Sequence, residues 1–283
     1  MALVSCTYGK SRVRVLRVHK EGAHHAVREL TVQAMLEGAF AGAFVAADNS
    51  LMVSTDTVKN VVNIVAGDYP GLDTEAFCAK VAERLLESYP QVATATVTGE
   101  ETKWTRLAVD GAPHPHSFVL DGNGRPFATV VATRAGTGFA RDTTSGISGF
   151  TFMKTTASGW DNFYKDPYTT LPETRERICA TALDARWRWS GAPQDYSAAN
   201  ATLLTTMLDV FASTYSESVQ DSLYRMGMAA LDAVPEVRDI HLAAPNKHYL
   251  LANLAPFGMT NENTVFVATD EPHGQIECMV GRD

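Results

Sequence analysis

Ser88-Tyr89-Pro90-Gln91-Val92 returns 145 residues later as Ala233-Val234-Pro235-Glu236-Val237. The same shift carries Ala95, Val97, Lys103 and Trp104 onto Ile240, Leu242, His248 and Tyr249. In each copy a proline stops an amphipathic run and an apolar alternation follows, which is how a helix exits into a strand. Ahead of the first copy, Phe77, Val81 and Leu85 mark one helical face. Val58, Val61, Val62 and Val65 mark another, at i, i+3, i+4 and i+7, with Ser54 or Thr55 as its cap. Earlier still, Arg12-Val13-Arg14-Val15-Leu16-Arg17-Val18 alternates at period two, a strand with one wet face, and residues 29–44 allow a second strand antiparallel to it. Strands at 92–97 and 127–132 complete the half.

The second half repeats this plan. It has a strand at 149–154, an element opening Leu171-Pro172-Glu173, and one long helical tract carrying Leu204, Leu208, Phe211, Tyr215, Val219, Leu223 and Met226. A hairpin-like pair at 264–268 and 275–280 closes it. Strands, then helices, then strands, twice over, predict an α+β fold of two tandem units, each a four-stranded antiparallel sheet with helices on one face. The Gly/Thr/Ser-rich stretch between Ala135 and Gly146 separates them, giving domains at 1–138 and 139–283. Such sheets leave edges and one face open, so an oligomer of closed barrels is expected.

Composition narrows the function. With 283 residues, 45% hydrophobic and 20% charged, the chain can build a substantial core. A formal charge of −8 gives no electrostatic footprint for nucleic acid or an anionic membrane. No apolar run approaches the ~18 residues of a membrane span. Met1-Ala2-Leu3-Val4-Ser5-Cys6 lacks the core of a signal peptide, and Gly281-Arg282-Asp283 is not a Ser-Lys-Leu peroxisomal address, so the cytoplasm is the expected location. Cys6, Cys78, Cys179 and Cys278 form no CxxC pair and read as reduced thiols. His24-His25 and His114-Pro115-His116 cluster as metal ligands can, but nearby prolines make the second group a loop and nothing completes either set. No metal is expected.

Six stretches in one order resemble the urate oxidase (uricase) family. They are Tyr8-Gly9-Lys10; Ser54-Thr55-Asp56-Thr57-Val58-Lys59-Asn60; Ser148-Gly149-Phe150-Thr151 with Lys154-Thr155-Thr156; Asp166-Pro167-Tyr168-Thr169-Thr170-Leu171-Pro172-Glu173-Thr174 with Arg177; Val219-Gln220; and Leu242-Ala243-Ala244-Pro245-Asn246-Lys247-His248-Tyr249. They span almost the whole chain. The resemblance implies tandem tunnelling-fold (T-fold) domains and oxidation of urate by O2 to 5-hydroxyisourate with release of hydrogen peroxide. It also implies that no cofactor takes part, O2 being a co-substrate.

It implies roles as well. Arg177 and Gln220 would clamp one edge of the purine, both offering in-plane hydrogen-bonding groups. Trp160 stands where the family usually has a stacking Phe, with Phe163 as the substitute should the indole turn elsewhere. Leu171 and Val219 would wall the pocket, and the backbone N–H groups of Val219 and Asp56 would donate to the ring. Lys10, Thr55 and His248 would relay protons, the lysine needing a lowered pKa to serve as a base. Asn246, with Thr55, would hold O2 or water above the ring. In the family the two groups of residues come from different subunits of a homotetramer, so the isolated chain is expected to be inactive. Taken singly, each residue has an ordinary structural explanation, such as a helix cap for Thr55 or an acid partner on its own helical turn for Arg177. The rival functions are a metal-dependent T-fold enzyme acting on purines or pterins and a non-catalytic purine-binding oligomer.

Overall fold

The structure is a computed structural model describing residues 1–282. The first half runs β1 (Tyr8–Glu21), β2 (His24–Gly38), α1 (Ala41–Val45), α2 (Thr55–Asp68), α3 (Thr74–Ser88), β3 (Val92–Val109), β4 (Ala112–Asp121) and β5 (Arg125–Ala135). The second runs β6 (Gly138–Lys154), β7 (Cys179–Trp189), α4 (Tyr196–Ser213), α5 (Val219–Ala233), β8 (Val237–Leu251) and β9 (Phe266–Gly281). Tertiary contacts divide the chain into one unit of Met1–Gly146 with Ala192–Ser197, and a second of Ile147–Gly191 with the chain from Ala198 onward.

In the first unit β1, β2, β3 and β5 pair antiparallel in that order, and β4 hangs from β3. Leu30, Val32, Ala34 and Leu36 are fully buried at every second position of β2. They meet Val58, Val62 and Val65 of α2 and Phe77, Val81 and Leu85 of α3 in one core. Each of the valine, leucine and phenylalanine side chains contributes about 1.5–3 kcal/mol by leaving water. In the second unit β7, β8 and β9 pair antiparallel, with Leu183, Leu203, Met207, Leu223, Met226, Ile240 and Leu242 buried.

The shift read from the sequence aligns elements residue for residue. It carries Thr74–Ser88 onto Val219–Ala233, both fifteen residues long, and the start of β3 onto the start of β8. Elsewhere the structure corrects the sequence. β2 stops at Gly38, where a Cβ would lie 2.1 Å from the Gln91 carbonyl oxygen, and residues 41–45 are helix. The expected loop at His114-Pro115-His116 is part of β4; its prolines are tolerated because β4 pairs with β3 alone. The residues from Gly138 to Gly146 are strand, being the opening of β6. No helix or strand begins at Leu171; residues 161–173 are irregular. The single helical tract is two helices separated at Thr214–Ser218, and the terminal hairpin is one long strand, β9.

Cys78 and Cys179 are buried, and burial pushes the Cys78 thiol upward; all four cysteines are free. Among the described residues no helix is long and apolar enough to cross a membrane, and no group of three or more His, Cys, Asp or Glu could hold a metal ion.

Candidate active site

A cavity of about 470 Å³ opens in the second unit. Its lining includes Trp160, Leu171, Arg177, Val219, Gln220, Asn246 and His248, which is every residue of that unit assigned a site role from the sequence. Lys247, Gln275 and Ile276 also line it, three residues to which the sequence assigned no site role.

Three segments build the wall. Trp160 and Thr174 exchange backbone hydrogen bonds of 2.7 and 3.0 Å, and the Arg177 amide donates to the Ser158 carbonyl at 3.0 Å. The Arg177 Nε donates to the Gly159 carbonyl at 3.1 Å. The third segment is the break between α4 and α5. Gly159 N–H donates to the Ser216 carbonyl and Ser216 N–H to the Ala157 carbonyl, both at 2.9 Å, while the Tyr215 hydroxyl donates to the Arg175 carbonyl at 2.7 Å. This clasp leaves no room for a side chain at residue 159, because a Cβ there would stand 2.5 Å from the Tyr215 hydroxyl. Lys154 secures the same break: its ammonium donates to the carbonyls of Phe211 (3.2 Å) and Thr214 (2.8 Å), where the last turn of α4 leaves acceptors unmatched. Burial lowers its pKa.

The clasp ends at Ser218, whose Oγ accepts from the Asp221 amide at 3.1 Å and so caps α5. Val219 and Gln220 are then the first two helical residues, with amides that have no partner inside the helix and that favour an electronegative ligand. Val219 is buried and Gln220 exposed. Arg177 is not on a helical turn and, among the described residues, pairs with no carboxylate; Glu173 is engaged by Lys165 at 3.1 Å. Burial lowers the Arg177 pKa, leaving it a cation held at the cavity by a carbonyl.

Trp160 and Phe163 stack, with rings 11° from parallel and centroids 5.5 Å apart. The indole lines the cavity, and the Phe163 ring stacks on it. Asn246 and His248 lie on β8, where the register with β9 breaks between them.

Lys10, Thr55 and Asp56 belong to the first unit. Ser54, not Thr55, caps α2: its Oγ accepts from the Asp56 amide at 3.2 Å. That amide is therefore engaged, and donating to a ring would require it to release or share Ser54. The Asp56 carboxylate binds Lys59 and Asn60, and Lys59 holds its pKa below the ordinary range. Lys10 sits on β1 opposite Ala34.

The family model Uricase matches residues 6–131 and 143–277. A uricase of Arabidopsis thaliana is 38% identical over 298 residues, covering 97% of this chain and 94% of the relative. A uricase of Arthrobacter globiformis is 36% identical over 276 residues, covering 98% and 88%. The crystal structure of uricase from Arthrobacter globiformis superposes with a TM-score of 0.92 at 35% identity, covering 100% of this chain and 96% of that one. With two matched stretches that together span nearly its whole length, the chain belongs to the uricase family.

Proposed function

We propose that the cavity is the purine-binding half of an active site completed by Lys10, Thr55 and Asp56 of another subunit. As a uricase family member the chain is an oxidoreductase acting on urate with O2 as acceptor. What supports the site assignment is convergence: seven residues spread from position 160 to 248 line one cavity of a size suited to a small ligand. The purine lies against the Trp160 indole with Arg177 and Gln220 at one edge and the Val219 amide as a further donor. The Trp160 and Arg177 backbones are held by the clasp before the ligand arrives.

Deprotonated urate is its own reductant. Two electrons pass to O2, which leaves as hydrogen peroxide after taking up two protons, and water supplies the new hydroxyl of 5-hydroxyisourate. The protein's task is then to position the reactants and move protons, and no cofactor is required. Lys10, Thr55 and His248 perform the transfers, with the Thr55 hydroxyl both accepting and donating, and Asn246 orients O2 or water over the ring.

The test is turnover in air-saturated buffer with chelator present, following urate absorbance together with peroxide. The reading predicts about one peroxide per urate and no effect of chelator. Urate that is bound but not consumed would contradict it in favour of a binding protein, and chelator-sensitive turnover would contradict cofactor independence.

A further inference from the structure

The alternation that marks β1 in the sequence places Lys10 on the wrong side of the sheet. Val13 and Val15 face the helices and are buried, while Arg14, Leu16 and Val18 face away. Continued backward without interruption, that rhythm puts Lys10 with Arg12 and Arg14 on the face opposite α2. The observed register differs. Val13 pairs with Val32 and Lys10 with Ala34, so three steps on β1 match two on β2. Residues directly opposite in an antiparallel pair share a face, and Val32 and Ala34 are both buried against the helices. Lys10 therefore lies on the helix-side face, as does Tyr8, opposite Leu36. Tyr8 confirms the orientation: its hydroxyl accepts from the Val53 amide at 2.7 Å, just before α2, and its ring packs on Phe40. Lys10 in turn helps lower the pKa of Asp56, in the first turn of α2.

The phase change is a one-residue bulge. Ser11 and Arg12 together oppose Gln33, whose amide donates to the Ser11 hydroxyl at 2.8 Å, and both are exposed. Arg12 has φ of 59°, the left-handed conformation that glycine adopts freely and a β-branched residue resists. We propose that Arg12 is a positioning residue acting through its backbone, its left-handed bulge keeping Lys10 on the face of the sheet where α2 begins. This rests on the reading of Lys10 as a relay residue.

Four variants test it, in the full-length enzyme. Arg12→Gly keeps kcat within about twofold, because the bulge remains without the guanidinium. Arg12→Val lowers kcat about tenfold or more and leaves KM and the affinity for an unreactive urate analogue within about twofold, since the purine clamp is untouched. Deleting Arg12 removes the extra residue, so uninterrupted pairing already sets Lys10 opposite Ala34, and turnover stays well above that of Arg12→Val. A deletion less harmful than a substitution is the signature of a phasing role. Equal losses in Arg12→Gly and Arg12→Val, or a deletion variant as inactive as Lys10→Ala, would overturn the proposal. Crystal structures of Arg12→Val and the deletion separate the two layers: Lys10 still opposite Ala34 in Arg12→Val defeats the phasing role whatever the rates. Wild-type turnover in Lys10→Ala defeats the relay reading alone.

Discussion

The proposed site gives Thr55 and Arg177 different burdens. Thr55→Ala is expected to lower kcat by about 10²-fold or more while changing analogue affinity little, because a hydroxyl that shuttles protons acts on the chemical step. Arg177→Ala should abolish analogue binding, since it removes the cation fixed at the cavity. Titration of the analogue and steady-state rates check both; equal losses of rate and affinity in Thr55→Ala would contradict its role. The clasp adds Gly159, where a Cβ would collide with the Tyr215 hydroxyl. Gly159→Ala forces Tyr215 or the backbone around Trp160 to move, costing about 1–3 kcal/mol of stability and weakening analogue binding. Removing the colliding hydroxyl in a Gly159→Ala, Tyr215→Phe double variant should recover part of both, as read by thermal melts and analogue titration. The site residues lining the cavity were legible because all but Trp160 fall in a stretch that resembles the family. Tyr215 and Ser216 were not, because a break between helices rich in Ser and Thr has no periodicity to read.

At the scale of elements, legibility followed burial on one face. The valine stripe of α2 and the apolar face of α3 matched their helices, whereas β4 was hidden by Pro113 and Pro115, ordinarily loop markers but permitted on a strand paired along one side. The α4 and α5 tract looked continuous because Phe211, Tyr215, Val219 and Leu223 happen to keep a four-residue step across the break. One element pairing makes a pH prediction. Asp239 on β8 lies opposite Arg188 on β7, which donates Nε to both carboxylate oxygens at 2.7 and 3.0 Å. Burial raises the Asp239 pKa, but the hydrogen bonds and charges of Arg188 and Arg238 outweigh it and the net shift is downward. A carboxyl depressed on folding adds stability that is present above its unfolded pKa and is lost as pH falls through its folded pKa. Melting temperature should therefore fall on acidification below the ordinary aspartate range, and less steeply in Asp239→Asn; identical slopes would contradict the linkage.

Across the whole molecule, the two copies have parted where function needs it. The shift that superimposes α3 on α5 matches Val219 and Gln220, at the cavity, with Thr74 and Glu75. Thr74 and Glu75 are buried, the latter accepting from the Ser145 hydroxyl at 2.5 Å, and Arg28 binds Thr74, Asp73 and Glu101 around them. The first copy has filled with polar side chains the helix start that the second leaves open. In the proposed site one copy supplies the purine clamp, and the other contributes Lys10 and Thr55. The most direct test of this division is to co-express Thr55→Ala and Arg177→Ala chains in equal amounts and measure urate oxidation by the mixed oligomer. If each site draws Thr55 and Arg177 from different subunits, two inactive parents yield about a quarter of wild-type turnover, the share of sites that receive both intact residues. No activity above the parents, in oligomers shown to contain both chains, would contradict a site shared between subunits.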